Sequence, residues 1–128
     1  MKTPVTLLLT NDHASEDLIA KILSEIGGVS HLTRAAGEAL ETICGVKDLN
    51  LVIIDFEHGA HGMTLLNAIR TVREGLPVIV ITHDDEQHVE ALAYANGAAA
   101  CFPKPVLPAQ LAIAVHRLCT PTLEQALA

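Results

Sequence analysis

The sequence predicts an α/β domain in which helices cover both faces of a five-stranded parallel sheet. Three observations support this fold class: short apolar runs recur along the chain, amphipathic segments alternate with them, and the connections are short. A run such as LVII at Leu51–Ile54 has no polar position, as expected of a strand covered on both faces. Strict alternation of strand and helix favours parallel pairing, and 128 residues suffice for one domain with a substantial core.

The first half of the chain contains two strand–helix units. Ser15 is a suitable N-cap for the first helix, and two acidic residues follow it, where a first helical turn favours negative charge. Gly27 and Gly28 can end this helix, and Gly45 can end the next one. The predicted elements are a strand at Val5–Thr10, a helix from about Ser15, a strand at Val29–Thr33 and a helix from Ala36 to about Cys44.

Three further units occupy the second half. Asp84 or Asp85 can cap the fourth helix and Gly97 can end it. Pro108 suits the first turn of the fifth helix, where no backbone N–H is needed. The predicted elements are strands at Leu51–Ile54, Val78–Thr82 and Ala98–Phe102, and helices over Met63–Arg73, up to about Asn96, and from Pro108 until Pro121.

Composition excludes several classes of function. The formal charge is −7 and the basic residues are scattered, so direct binding of nucleic acid is not expected. No apolar stretch approaches the roughly 20 residues that span a bilayer, and no secretory signal is recognisable, so we expect a cytoplasmic protein without membrane association. Three cysteines without metal-type or CxxC spacing are expected to be reduced thiols: Cys44, Cys101 and Cys119.

Four of the predicted strands are each followed closely by, or end in, a polar residue. These residues are Asp12, Asp55, Thr82 and Lys104. Because the carboxyl ends of parallel strands meet at one edge of the sheet, these four side chains should converge there. Two carboxylates, a hydroxyl and an ammonium together suit a divalent cation and a phosphoryl group.

Four motifs resemble those of a response-regulator receiver domain, the module of two-component signalling. They are LLLTNDH, LVIIDFEHGAHG, PVIVITH and NGAAACFPKP, in the order and approximate spacing of that family, and the resemblance spans roughly residues 4–119. It implies a flavodoxin-like, doubly wound sheet of order 2-1-3-4-5. It also implies a receiver domain over residues 1–120, a short tail over 121–128 and no output domain.

The resemblance implies a role for each polar residue at the sheet edge. Asp55 would be the phosphoacceptor, attacking the phosphohistidine of a sensor histidine kinase or a phosphotransfer protein. Thr82 and Lys104 would contact the phosphoryl group. Mg²⁺ would be the cofactor, and the resemblance implies these ligands: Asp12, Asp55 and the backbone carbonyl of Glu57, with Asn11 as a further candidate.

The resemblance also implies how the signal leaves the domain. The surface formed by the fourth helix, the fifth strand and the fifth helix would contact a downstream protein, a missing output domain or a second copy of the chain. The domain would not be an enzyme beyond its own phosphorylation and dephosphorylation. Three positions depart from the family pattern: Asn11 replaces an acidic residue, Cys101 replaces an aromatic one, and His83 replaces a small one.

Other functions are compatible with parts of the pattern. The missing carboxylate at Asn11 allows a phosphorylation-independent receiver-like domain that only binds other proteins. A phosphatase of the haloacid dehalogenase type also uses an aspartyl nucleophile, but it needs a second Asp where this chain has Glu57. A transition-metal site is a further alternative because four histidines follow the predicted strands: His13, His58, His61 and His83.

Overall fold

Five strands, all parallel, form one sheet. The structure, a computed structural model, describes residues 4–56, 59–83 and 87–119. The strands are Val5–Leu9 (β1), Val29–Thr33 (β2), Leu51–Phe56 (β3), Val78–Thr82 (β4) and Ala100–Pro103 (β5). The helices are His13–Glu25 (α1), Ala36–Gly45 (α2), Gly59–Val72 (α3), Gln87–Ala95 (α4) and Pro108–Cys119 (α5). The strand order is β2-β1-β3-β4-β5, so the predicted fold class and topology are confirmed.

The core consists of two apolar layers, one on each face of the sheet. Side chains alternate between the faces along each strand. Leu8 and Ile53 pack with α1 and α5, whereas Leu7 and Val52 pack with α2, α3 and α4. Thr6 is a polar exception in β1, because its buried hydroxyl has no hydrogen-bond partner among the described residues.

The strand register brings four strand ends to the same edge. Leu9 at the end of β1 lies level with Ile54 of β3, and Phe56 lies level with Thr82 of β4. Thr82 in turn lies level with Pro103 of β5. The residues that close or follow these strands are therefore neighbours, as parallel pairing predicts.

Helix α1 begins earlier than the sequence pattern indicated. Its N-cap is Asp12 and not Ser15, because Asp12 Oδ1 accepts a hydrogen bond of 3.1 Å from the Ala14 backbone N–H. Ser15 instead donates its hydroxyl to Asp12 Oδ2 over 2.8 Å. Aspartate and serine are both good N-caps, so residue type alone could not decide between two candidates three positions apart.

Other boundaries also differ from the sequence expectation: β1 ends at Leu9 and β5 covers Ala100–Pro103, whereas Thr10 and Ala98–Phe102 were expected. Helix α3 begins at Gly59, whereas Met63 was expected, because the low helix propensity of its glycines makes this turn resemble a loop. Strand β3 continues through Asp55 to Phe56, so this aspartate lies inside the strand. Gly97 ends α4 as predicted, with a φ of +101°.

Some of the predictions fall on residues that are not described. The candidate caps Asp84 and Asp85 and the tail over 121–128 lie outside the described residues. Within the described ranges, no helix combines the length and apolar character needed to cross a membrane.

Candidate functional site

Asp12, Asp55 and Lys104 meet at the carboxyl edge of the sheet. Lys104 Nζ lies 2.8 Å from Asp55 Oδ2 and 3.0 Å from Asp12 Oδ2, so one ammonium pairs with both carboxylates and leaves the cluster with a net negative charge. The Asp55 side chain is fully buried, while that of Asp12 is 33% exposed. The backbone N–H of Lys104 donates to the Thr82 carbonyl over 3.0 Å, which holds the segment after β5 against β4.

Thr10 belongs to the same site, although the sequence interpretation missed it. Its hydroxyl donates to Asp55 Oδ2 over 2.8 Å and accepts a 3.0 Å hydrogen bond from the Asp12 backbone N–H. The signal in the sequence is a polar residue at the very end of the first apolar run. It becomes interpretable only with the register, since Leu9 level with Ile54 places Thr10 next to Asp55.

The two carboxylate oxygens of Asp55 have different surroundings. Oδ2 accepts from Thr10 and Lys104, whereas Oδ1 is buried without a hydrogen-bond partner among the described residues. A buried carboxylate oxygen without a partner is costly. Oδ1 is therefore the oxygen that is available to bind a cation or to attack an electrophile.

A cleft of about 370 Å³ opens beside this cluster. The start of α1 and the segment before α5 line it, through Leu18 and Val106 among others, with Asp12 and Lys104 at its polar end. The polar edge of the sheet therefore adjoins a space that a small molecule can enter.

Thr82 lies at the end of β4 with a buried side chain that interacts with Cys101. Burial and the charge of Glu90 raise the pKa of the Cys101 thiol to about 11, against the opposing effect of the Thr82 hydrogen bond. Cys101 is thus a buried neutral thiol near pH 7, as its position in the strand predicted. The residue that Thr82 contacts here is thus a thiol at the position where an aromatic residue was expected from the family pattern.

The other candidate residues are either exposed or not described. Asn11 and His83 are exposed, and Glu57 and His58 lie outside the described residues, as does the side chain of His61. No group of three or more potential metal-binding His, Cys, Asp or Glu side chains occurs in the described part of the chain. Nothing described therefore favours the transition-metal alternative.

Charge pairing shifts the titration of two groups in the site. Hydrogen bonds from Lys104 and then Ser15 lower the pKa of Asp12 from its ordinary value of 3.8 to about 2. Burial opposes ionisation of Lys104, but its hydrogen bonds with Asp55 and Asp12 outweigh burial and raise its pKa. Both groups are therefore charged across the physiological pH range.

The low pKa of Asp12 predicts an acid-sensitive contribution to stability. The folded state binds a proton at Asp12 less readily than the unfolded chain, so this contribution is complete above about pH 4 and is lost as the pH falls towards 2. Asp12→Asn keeps a capping side chain but cannot titrate. Urea denaturation measures the free energy of unfolding of both proteins from about pH 5 to 2. The wild-type value should fall more steeply with decreasing pH than that of Asp12→Asn, and the difference in slope should approach the uptake of one proton on unfolding. Parallel curves for the two proteins would contradict this.

Comparison with known proteins identifies the family. The model of the family described as "Response regulator receiver domain" matches residues 7–116. A search of curated proteins gave no match. A solved receiver domain protein from Clostridium thermocellum is 22% identical, with a TM-score of 0.82 over 91% of this chain and 94% of its own.

Two further solved structures are similar at slightly higher identity. A CheY-like receiver domain protein from Methanospirillum hungatei is 26% identical, with a TM-score of 0.80 over 91% of this chain and 94% of its own. NtrX from Brucella abortus is 25% identical, with a TM-score of 0.82 over 92% of this chain but only 27% of NtrX. Because the family model covers most of the sequence, the chain belongs to the response regulator receiver domains, a family of phosphoacceptor signalling domains.

Proposed function

We propose that the chain accepts a phosphoryl group on Asp55 from a sensor histidine kinase or a phosphotransfer protein. The observation that carries this proposal is the asymmetry of the Asp55 carboxylate. Its Oδ2 is held by two donors, and its Oδ1 is buried without a hydrogen-bond partner among the described residues. An oriented carboxylate with one available oxygen suits nucleophilic attack.

The transfer is a displacement at phosphorus. A lone pair of Asp55 Oδ1 forms the new P–O bond while the P–N bond of the donor phosphohistidine breaks. The imidazole nitrogen keeps that bonding pair and takes up a proton, and the product on Asp55 is an acyl phosphate. Because the carboxylate gives up its charge, the phosphoryl group carries the negative charge that the neighbouring cations then stabilise.

Lys104 and Thr82 are the protein groups that we assign to the phosphoryl oxygens. The Lys104 ammonium already lies 2.8 Å from Asp55 Oδ2, so a short movement would bring it to a phosphate on the same side chain. Thr82 closes the neighbouring strand, and its register partner Phe56 directly follows Asp55. Its hydroxyl would donate to a phosphoryl oxygen.

The residues of the site fit Mg²⁺, which receiver domains typically bind at their acidic phosphorylation site. Asp55 and Asp12 supply two carboxylates, the hard ligands that this cation prefers, and the orphaned Oδ1 shows that the buried Asp55 carboxylate has unused capacity to bind a cation. Asn11 and the backbone carbonyl of Glu57 are the further proposed ligands. When bound, the cation neutralises charge on the phosphoryl group and the carboxylates.

For signal output we propose the surface of α4, β5 and α5. Exposed apolar side chains on or next to these helices include Tyr94 and Leu92 on α4, and Leu107 and Ile113 before and within α5. A downstream protein, an output domain or a second copy of the chain would bind there. Because the Thr82 hydroxyl interacts with the Cys101 thiol, movement of Thr82 would act on this surface through Cys101.

Acetyl phosphate tests the proposal directly. The protein is incubated with acetyl phosphate and Mg²⁺, and intact mass is measured under acidic conditions that preserve acyl phosphates. We expect a mass gain of one phosphoryl group that base treatment removes. A folded wild-type protein without any adduct would contradict the proposal and would favour the phosphorylation-independent binding function, which no described feature favours now.

A further inference from the structure

The Thr10 hydroxyl has a fixed direction in this site. Its side chain is buried, with Thr10 only 2% exposed. The hydroxyl accepts from the Asp12 backbone N–H, so its single proton is free to point at Asp55 Oδ2, 2.8 Å away. Thr10 therefore connects the backbone that begins α1 to the carboxylate at the end of β3.

We propose that Thr10 is a positioning residue that makes Asp55 Oδ1 the attacking oxygen and shortens the lifetime of the acyl phosphate. This inference rests on the proposed function of Asp55. Thr10 and Lys104 both engage Oδ2, which fixes the rotation of the carboxylate about its Cβ–Cγ bond. Oδ1, with no partner in the described part of the chain, is left for the reaction.

The effect on lifetime follows from the charge of Oδ2. In the acyl phosphate, Oδ1 carries the phosphoryl group and Oδ2 is a neutral carbonyl oxygen. In hydrolysis a water oxygen forms a bond to phosphorus, the Oδ1–P bond breaks, and its electron pair returns to the carboxylate. The proton lost by the water ends on inorganic phosphate or in bulk solvent.

The hydrogen bond from Thr10 strengthens as this carboxylate reappears. Hydrogen bonds to a charged acceptor are roughly twice as strong as those to a neutral one. Thr10 consequently stabilises the departing carboxylate more than the acyl phosphate. Without the hydroxyl, hydrolysis should slow roughly three- to fivefold, a change of the size expected from the difference between a charged and a neutral hydrogen bond.

The test compares adduct lifetimes in variants of the 128-residue chain. Each protein is phosphorylated with acetyl phosphate and Mg²⁺, desalted to remove the donor, and followed by intact mass over time. Thr10→Val should lengthen the lifetime roughly three- to fivefold, by the difference between a charged and a neutral hydrogen bond, and Thr10→Ser should restore it. Thr6→Val is the matched control, because this buried threonine of β1, four residues before Thr10, has no hydroxyl partner among the described residues.

The outcomes separate this inference from the proposed function. If wild type forms an adduct and Thr10→Val decays at the same rate or faster, the role of Thr10 is overturned while Asp55 remains the acceptor. If wild type forms no adduct, the proposed function is overturned and this inference with it. Thr10→Ala also removes the hydroxyl and gives the same comparison should the valine variant not fold.

Discussion

Asp55→Asn is expected to abolish the phosphoryl adduct, lowering its yield by more than about 100-fold, as loss of a nucleophile does in other enzymes and acceptors. An amide has no carboxylate oxygen to attack phosphorus. Folding should survive, because the Lys104 ammonium keeps Asp12 Oδ2 as its partner at 3.0 Å. The measurement is intact mass after incubation with acetyl phosphate and Mg²⁺, with circular dichroism to show that the variant is folded.

Two matched variants make the result specific to Asp55. Asp17→Asn removes an exposed carboxylate of α1 and should leave the adduct at the wild-type level. Asp12→Asn removes a proposed Mg²⁺ ligand and should slow phosphorylation without moving its position. A folded Asp55→Asn protein that still gains a phosphoryl group would show that another residue is the acceptor.

The fold was largely predictable because its signals are local. Runs such as Leu51–Ile54, without a polar residue, indicate strands covered on both faces, and their alternation with helices requires parallel pairing. The start of α1 was not predictable at residue level, since Asp12 and Ser15 are both good caps and only the folded geometry separates them. Helix α3 was expected to be shorter because Gly59 and Gly62 are poor helix formers.

The site was predictable only in part, because contacts depend on register. Parallel pairing alone implied that Asp12, Asp55 and Lys104 approach one another, and in the structure both carboxylates contact the Lys104 ammonium. The role of Thr10 could not be predicted from the sequence, because it depends on two facts that no local sequence pattern contains. These are the pairing of Leu9 with Ile54 and the direction of a buried hydroxyl.

The position of Lys104 between two carboxylates links stability to the proposed chemistry. Lys104→Met keeps a flexible apolar side chain but removes the charge that neutralises the fully buried Asp55. Loss of one partner of a buried ion pair costs about 3–5 kcal/mol, and partial exposure of Lys104 and Asp12 reduces that figure. We expect the free energy of unfolding to fall by about 2–3 kcal/mol, measured by urea denaturation. Lys21→Met, at an exposed lysine, should change it by no more than about 0.5 kcal/mol.

A double-mutant cycle shows whether the loss comes from the pair itself. In the Asp55→Asn background the same Lys104→Met substitution should cost less than about 1 kcal/mol, because no buried carboxylate is then left without its cation. Equal costs in both backgrounds would mean that Lys104 stabilises the fold through packing alone.

Added Mg²⁺ tests whether the Lys104 ammonium and the metal ion compete for the same carboxylate oxygens. In wild type, Lys104 already occupies Asp55 Oδ2 and Asp12 Oδ2, so a divalent ion gains less by neutralising them. In Lys104→Met both oxygens lose their only cationic partner among the described residues, and a bound divalent cation should restore much of the lost stability. Denaturation at rising Mg²⁺ should therefore stabilise the variant more than wild type. An equal response would show that Lys104 and Mg²⁺ do not compete for the same oxygens of the site.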